Sequence, residues 1–214
     1  MLPKKREIDD VFGLALRRGS KLIPFHYLFA MRFLLHLKHW QLFLLTWGTV
    51  FLMNLVVLID IKLMLFAFPI AMLLFTLGTF GWIWAIATQL HSLAPSSAGL
   101  NLGRFKLLFS VPLLYAVLLV FGVAYIFYRG NIGEAGLPKT AIISAMVLMH
   151  LLSMAGVFYG LRFAAKTYKS VELQREAHLS DYLVEFFLLW FSIVGVWLLQ
   201  PRLNALAAQT EPQQ

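Results

Sequence analysis

The sequence predicts an all-α membrane protein: a polytopic helix bundle of about five transmembrane helices, preceded by an N-terminal interfacial helix. Three observations carry that expectation. Of 214 residues, 60% are hydrophobic and 13% charged, against roughly 45–50% and about 25% in soluble domains. The mean hydropathy is +0.77, and the apolar residues gather in runs of about 20, the length needed to cross about 30 Å of hydrocarbon. The short alternating strands of a closed barrel are not seen, so backbone polar groups in lipid have to be paired within helices.

Residues 1–40 form a basic N-terminal segment. Within it, IDDVFGLALRRGSKL is read as a short surface helix or a mobile arm. The next stretch, LIPFHYLFAMRFLLHL over 22–37, is only 16 residues long and has Arg32 at its middle. A central Arg costs roughly 2.5–3.5 kcal/mol on insertion scales, so an interfacial helix is expected, with a sixth span as the alternative. Arg32, His36 and His39 share one face of such a helix. Basic residues continue to Lys38, well past a normal signal-peptide n-region, so no cleavable leader is expected.

The bundle, 41–201, divides into runs at about 42–59, 63–89, 107–128, 141–161 and 183–200. Asp60-Ile61-Lys62 alone separates the first two, yet 42–89 is far too long for one crossing. A tight hairpin follows, with Asp60 and Lys62 at the bilayer surface. Pro69 and Pro112 fall inside spans and are expected to bend helices rather than end them. Residues 202–214 read as a short polar tail.

Lys and Arg set the orientation. With the N-terminus inside, fourteen lie inside and four outside, the four being Lys62, Arg129, Lys139 and Arg202. This bias places the N-terminus and the 164–182 loop in the cytoplasm and the C-terminus outside. Trp40, Trp82 and Trp84 then fall toward inner ends, and Tyr125, Tyr128 and Trp197 toward outer ones. Trp190 fits neither belt and is assigned to packing between helices. The formal charge of +8 is accounted for by the same bias and by anionic headgroups, and nucleic-acid binding is not expected.

The chain has no cysteine, which excludes disulfides, thiolate metal sites and cysteine nucleophiles. Paired carboxylates, a nucleophile turn, a zinc-protease motif, a P-loop and a dinucleotide fingerprint are all missing, so no catalytic residue, cofactor or metal is expected. The polar residues inside spans are few. Asn54 is expected to bond between helices. His150, with Ser153 one turn on, is either a neutral histidine bonded to a neighbouring helix or a proton relay or ligand. Glu185 lies in the first turn of the last span, behind Ser180 as N-cap and Asp181 near the positive helix end. A salt bridge to Arg162 or Lys166 is expected, the alternative being a gate for a cation or proton. Gly156, Gly160 and Ala164 recur every four residues, a spacing that lets helices approach closely within the chain or between two copies.

The run from Phe158 to Asn204 resembles a family of small integral-membrane proteins from Bacteroidota. The residues that carry the likeness are Ala165-Lys166, Lys169-Ser170-Val171-Glu172, Ser180-Asp181, Glu185-Phe186-Phe187-Leu188-Leu189-Trp190, and Gln200-Pro201-Arg202 with Asn204. GWIWAIATQLHSLAP and Arg104-Phe105-Lys106 extend it more faintly. Where the family leads from Trp190 and the following Phe into Pro-Ile-Gly, this chain has Ser192-Ile193-Val194-Gly195. That departure bears on any bend of the last helix. The resemblance implies a bacterial inner-membrane location and a purposeful cytoplasmic loop, and no chemistry.

Lys169–Glu172 and Glu172–Arg175 spacing then predicts a short charged cytoplasmic helix over 164–182, with Lys166, Lys169, Glu172 and Arg175 as its partner surface. The expected function is that of a non-catalytic accessory or assembly component, contacting lipid and another membrane or cytoplasmic protein. The alternative is a small oligomeric transporter or channel with Glu185 and His150 in its pathway.

Overall fold

The computed structural model describes residues 33–129 and 139–210. Arg32, the arm before it and most of the expected interfacial helix lie outside the described residues. Every described element is helical: α1 (His39–Phe43), a π-helical turn (Leu44–Gly48), α2 (Thr49–Ile59), α3 (Met64–Gln89), α4 (Leu102–Arg129), α5 (Lys139–Leu173), α6 (Leu179–Trp190) and α7 (Ser192–Thr210). Three of these helical stretches are long and apolar enough to cross a membrane: Phe66–Leu93, Leu102–Gly122 and Ile142–Leu173.

The first expected span is helical but divided. Thr46 Oγ1 donates to the Leu42 carbonyl at 2.9 Å and Thr49 Oγ1 to the Thr46 carbonyl at 2.7 Å. Hydroxyls that bond back into the helix ladder accompany local unwinding, and here the unwound turn is π-helical. Asp60 is extended (φ −153°, ψ 121°) and its Oδ1 accepts the Lys62 N–H at 2.8 Å. This aspartate turn reverses the chain, so that α1–α2 lies antiparallel to α3. Trp47 packs edge-on against Phe75, and a Cβ on Gly78 would lie 2.8 Å from Thr46 Cγ2.

Pro69 and Pro112 are inside α3 and α4, as expected. The small-residue stripe packs within the chain: a Cβ on Gly156 would meet the Leu108 carbonyl and Pro112, and one on Gly160 would run into the Phe109 ring. Ala164 is fully buried. The face of α5 offered for self-association is therefore covered by α4.

Two boundaries need correction. The expected separate helix over 164–182 is instead divided among the end of α5, which runs unbroken for 35 residues to Leu173, a turn, and the start of α6. Nor is the expected last span, 183–200, one helix. It breaks at Phe191 (φ −88°, ψ 60°), and α7 folds back along α6, bringing Leu199 and Leu203 beside Glu185 and Leu189. Gly195 is needed at the bend, because any Cβ there would collide with the Leu188 carbonyl. At 12 residues, α6 is about 18 Å long, too short to cross about 30 Å of hydrocarbon.

The return path of α7 is fixed by its contacts with α1, the π-helical turn after it and the residues just before it. Trp47 Nε1 donates to Ser192 Oγ at 3.2 Å, Phe43 and His39 meet Trp197, and Asn204 Nδ2 donates to the Leu37 carbonyl at 3.1 Å. The helix continues through Pro201 to Thr210, where a polar tail from 202 was expected. Trp197, expected at the outer boundary, thus lies beside His39. Trp82, expected in an interfacial belt, is completely buried.

The core sits at one end of the bundle, where α3 ends, α4 begins and α5 ends. Trp82, Ile86, Phe105, Phe109, Ala165 and Val196 are buried there. At the other end α2, the second half of α4 and the first half of α5 present apolar side chains outward.

Candidate functional site

The charged and polar residues of the last third converge at this buried end. α5 carries Lys166, Lys169 and Ser170 into a turn, 174–178, and α6 brings back Asp181, Tyr182 and Glu185. Gln174 takes the left-handed conformation (φ 52°) that ends α5. A non-glycine residue there is strained, and its side chain compensates by donating to the Val171 carbonyl at 2.8 Å. Ser170 Oγ accepts the Ala177 N–H at 3.2 Å across the turn. Arg175 Nη1 reaches both the Glu176 carbonyl and Asp181 Oδ2 at 2.9 Å.

Asp181 Oδ2 also accepts the His178 N–H at 2.9 Å, so His178 is the N-cap of α6 and Asp181 its capping acid. The expected cap, Ser180, is inside the helix, two residues past the true cap. The Arg175 guanidinium and then the His178 N–H hold the Asp181 carboxyl below the ordinary carboxylate range. The ammonium of Lys166, at 2.8 Å, does the same for Glu176.

Glu185 is where the sequence expectation is close but one turn off. Its partner is Lys169, at 3.3 Å, not Arg162 or Lys166. Lys166 is taken by Glu176, and Arg162 donates from Nε to the Tyr182 hydroxyl at 3.1 Å. Lys169 also holds Glu172 at 2.8 Å, whereas Arg175 pairs with Asp181 instead of Glu172. The Glu185 side chain is 4% exposed, and among the described residues its Oε2 has no hydrogen-bond partner. Around it, Ile86, Ala165, Tyr168, Leu189, Leu199 and Leu203 line a gap with no room for a water molecule. A half-satisfied carboxylate in such surroundings is costly to maintain.

A second polar brace escaped the sequence reading. Gln200 is fully buried; its Oε1 accepts from Trp82 Nε1 at 2.8 Å. Its amide nitrogen faces the carbonyls of Leu34, Leu35 and Leu37 and Asn204 Oδ1, all within 2.9–3.1 Å. One glutamine thereby pins the N-terminal segment, α3 and α7 together. The signal was present as a lone Gln closing an apolar run opposite a lone indole N–H, but spacing along the chain does not show which groups meet.

The remaining candidates are not brought to this site. His150 is exposed and meets Tyr115 edge-on at 5.9 Å. It is 19 residues before Lys169 on the same helix, about 28 Å away. Asn54 is exposed and donates to the Val50 carbonyl of its own helix at 2.8 Å, so it does not bond between helices. Trp190 packs on Phe158 at 4.1 Å and on Phe186, in line with the packing role. The expected partner surface is narrower than the sequence suggests: α5 is buried from Phe163 to Ala165 and again at Thr167, Tyr168, Ser170 and Val171. No group of three metal-ligating side chains occurs among the described residues. Comparison with known protein families, curated proteins and solved structures finds no match to this chain.

Proposed function

We propose that the protein is a multi-pass bacterial inner-membrane protein that acts as a non-catalytic accessory or assembly component, docking a partner on the braced turn over 172–180. One observation carries this reading. The turn is exposed, yet it is built as firmly as a core, with Gln174, Ser170, Arg175 and Asp181 each spending side-chain bonds on its backbone or on one another. Exposed connectors between helices do not need that bracing to connect; a fixed recognition surface does. The resemblance of Phe158–Asn204 to the Bacteroidota family fits the same reading, since the residues that carry the likeness include Ser170, Asp181 and Gln200.

The topology that supports it has four crossings, by α1–α2, α3, α4 and α5, followed by α6–α7 as a hairpin that enters the bilayer and returns. The tail then emerges on the cytoplasmic side with residues 164–182. Arg202 moves inside, and the count of basic residues becomes fifteen inside against Lys62, Arg129 and Lys139 outside. The positive-inside bias is stronger than with five crossings. Transport along a path holding both Glu185 and His150 has less support, because the two groups are far apart and the gap beside Glu185 admits no water.

The experiment is site-specific photo-crosslinking in membranes, with the probe at Gln174 or His178 and at Phe121 on a lipid-facing helix. A discrete protein adduct is expected from the first two positions and not from the third. It should disappear when Glu172 and Arg175 are reversed in charge while thermal stability is kept. Identical adducts at all three positions would contradict the reading.

A further inference from the structure

We infer that the outer face of the α5–α6 pair binds an anionic phospholipid, its phosphodiester on Arg162 and one acyl chain along Phe158, Phe186 and Trp190. The inference rests on the membrane reading but not on the accessory role.

Depth comes first. Between Lys139 and Arg162 the sequence holds 22 residues without Asp, Glu, Lys or Arg. On a helix they span about 33 Å, close to the thickness of the hydrocarbon layer. Arg162 therefore lies where acyl chains give way to headgroups.

Charge comes second. Of the four cations between 162 and 175, Lys166, Lys169 and Arg175 each hold a carboxylate. Arg162 is exposed, and among the described residues no carboxylate lies within ion-pair distance of it. Its Nε is fixed by the Tyr182 hydroxyl at 3.1 Å, which orients the guanidinium and leaves both terminal nitrogens as donors. A planar fork of donors without a counter-charge, at headgroup depth, fits a phosphodiester.

Shape comes third. Phe158 is one turn from Arg162 on the same face of α5, and Phe186 and Trp190 follow Tyr182 at successive turns of α6. Because the helices are antiparallel, these rings form one strip running from the guanidinium into the apolar half. Phe158 stands 6.4 Å from Phe186 and 4.1 Å from Trp190. Phe158 and Trp190 are each 39% exposed. From Tyr182 to Trp190 the strip is about 12 Å long, most of one leaflet's hydrocarbon depth.

The test uses the full chain in phosphatidylcholine bilayers carrying a phosphatidylglycerol with a photoactivatable acyl chain, or the matching phosphatidylcholine analogue. Adducts on the peptides holding Phe158 and Trp190 should form about fivefold more with the anionic lipid. Arg162→Gln should erase that preference, Arg162→Lys should keep part of it, and Arg104→Gln should leave it unchanged. Tyr182→Phe, which keeps the cation, should retain at least half. Equal labelling by the two lipids in the unaltered protein would overturn the proposal without any variant having to fold, as would competition by inorganic phosphate. Loss of the 172–180 protein adduct would bear on the accessory role alone.

Discussion

The two halves of α5 have opposite surroundings. From Ile143 to Leu152 its apolar side chains point outward, whereas from Gly156 to Val171 the helix is buried on most of its circumference, small residues against α4 and polar ones against α6. Both halves carry apolar side chains, and the packed half adds Arg162, Lys166 and Lys169 to them. Hydrophobicity therefore does not decide which one packs, since lipid tails satisfy an apolar face as well as protein does. What singles out the packed half is close approach at Gly156 and Gly160, together with hydrogen bonds and ion pairs that have no partner in lipid.

Breaking that contrast should have its largest effect at the small residues. Gly160→Leu forces a side chain into the Phe109 ring and is expected to cost about 3 kcal/mol or more. Gly122→Leu on α4 has nothing within 4 Å of its Cβ and should stay within about 0.5 kcal/mol. Thermal unfolding of the two variants in detergent measures the difference, and similar losses would show that small residues do not define the packed half.

The buried glutamine comes next. Gln200→Leu strands the Trp82 N–H and the carbonyls of Leu34 and Leu35, while Leu37 keeps its bond from Asn204, and is expected to cost about 1–3 kcal/mol. Asn54→Leu removes only a bond within one exposed helix and should be nearly neutral. If both substitutions cost the same, Gln200 is not the brace between the N-terminal segment, α3 and α7.

Smaller still is the Lys169–Glu185 pair. Lys169→Met leaves a buried carboxylate without its cation and should destabilise by about 2 kcal/mol, less than for a fully enclosed pair because Lys169 is partly exposed. Adding Glu185→Leu should restore most of the loss. A double variant no more stable than Lys169→Met would mean that Glu185 has a role apart from this pair.

The smallest effect is set by pH. Asp181 and Glu176 have folded-state values below their unfolded ones, so their contribution is present above the ordinary carboxylate range and is lost as pH falls through the lowered values. The protection of the amides of residues 174–181, taken relative to the intrinsic exchange rate at each pH, should fall on acidification below about pH 4, with that of the apolar half unchanged. Asp181→Asn should flatten most of that dependence.

Helical class, apolar runs, the turn at Asp60 and the in-helix positions of Pro69 and Pro112 were legible because period, run length and turn chemistry are local. The Lys169–Glu172 bond was legible for the same reason. The partner of Glu185 was misplaced by one turn, because three basic residues lie within reach and only the angle between α5 and α6 selects Lys169. The break at Phe191 was hidden for a different cause: the residues that make it, Phe191 and Gly195, sit inside an unbroken apolar run that carries no proline. Gln200 and Trp82, 118 residues apart, are joined by a tertiary contact that no periodicity encodes.

The returning hairpin is the central claim, and its sidedness tests it most directly. Because the chain has no cysteine, single cysteines at Lys62, Gln174 and Ala205 can be probed with a membrane-impermeant thiol reagent on intact cells and on inverted vesicles. The account predicts that Gln174 and Ala205 label together from the cytoplasmic face and Lys62 from the opposite one. Labelling of Ala205 together with Lys62 would mean that the last helices cross the membrane, and would contradict it.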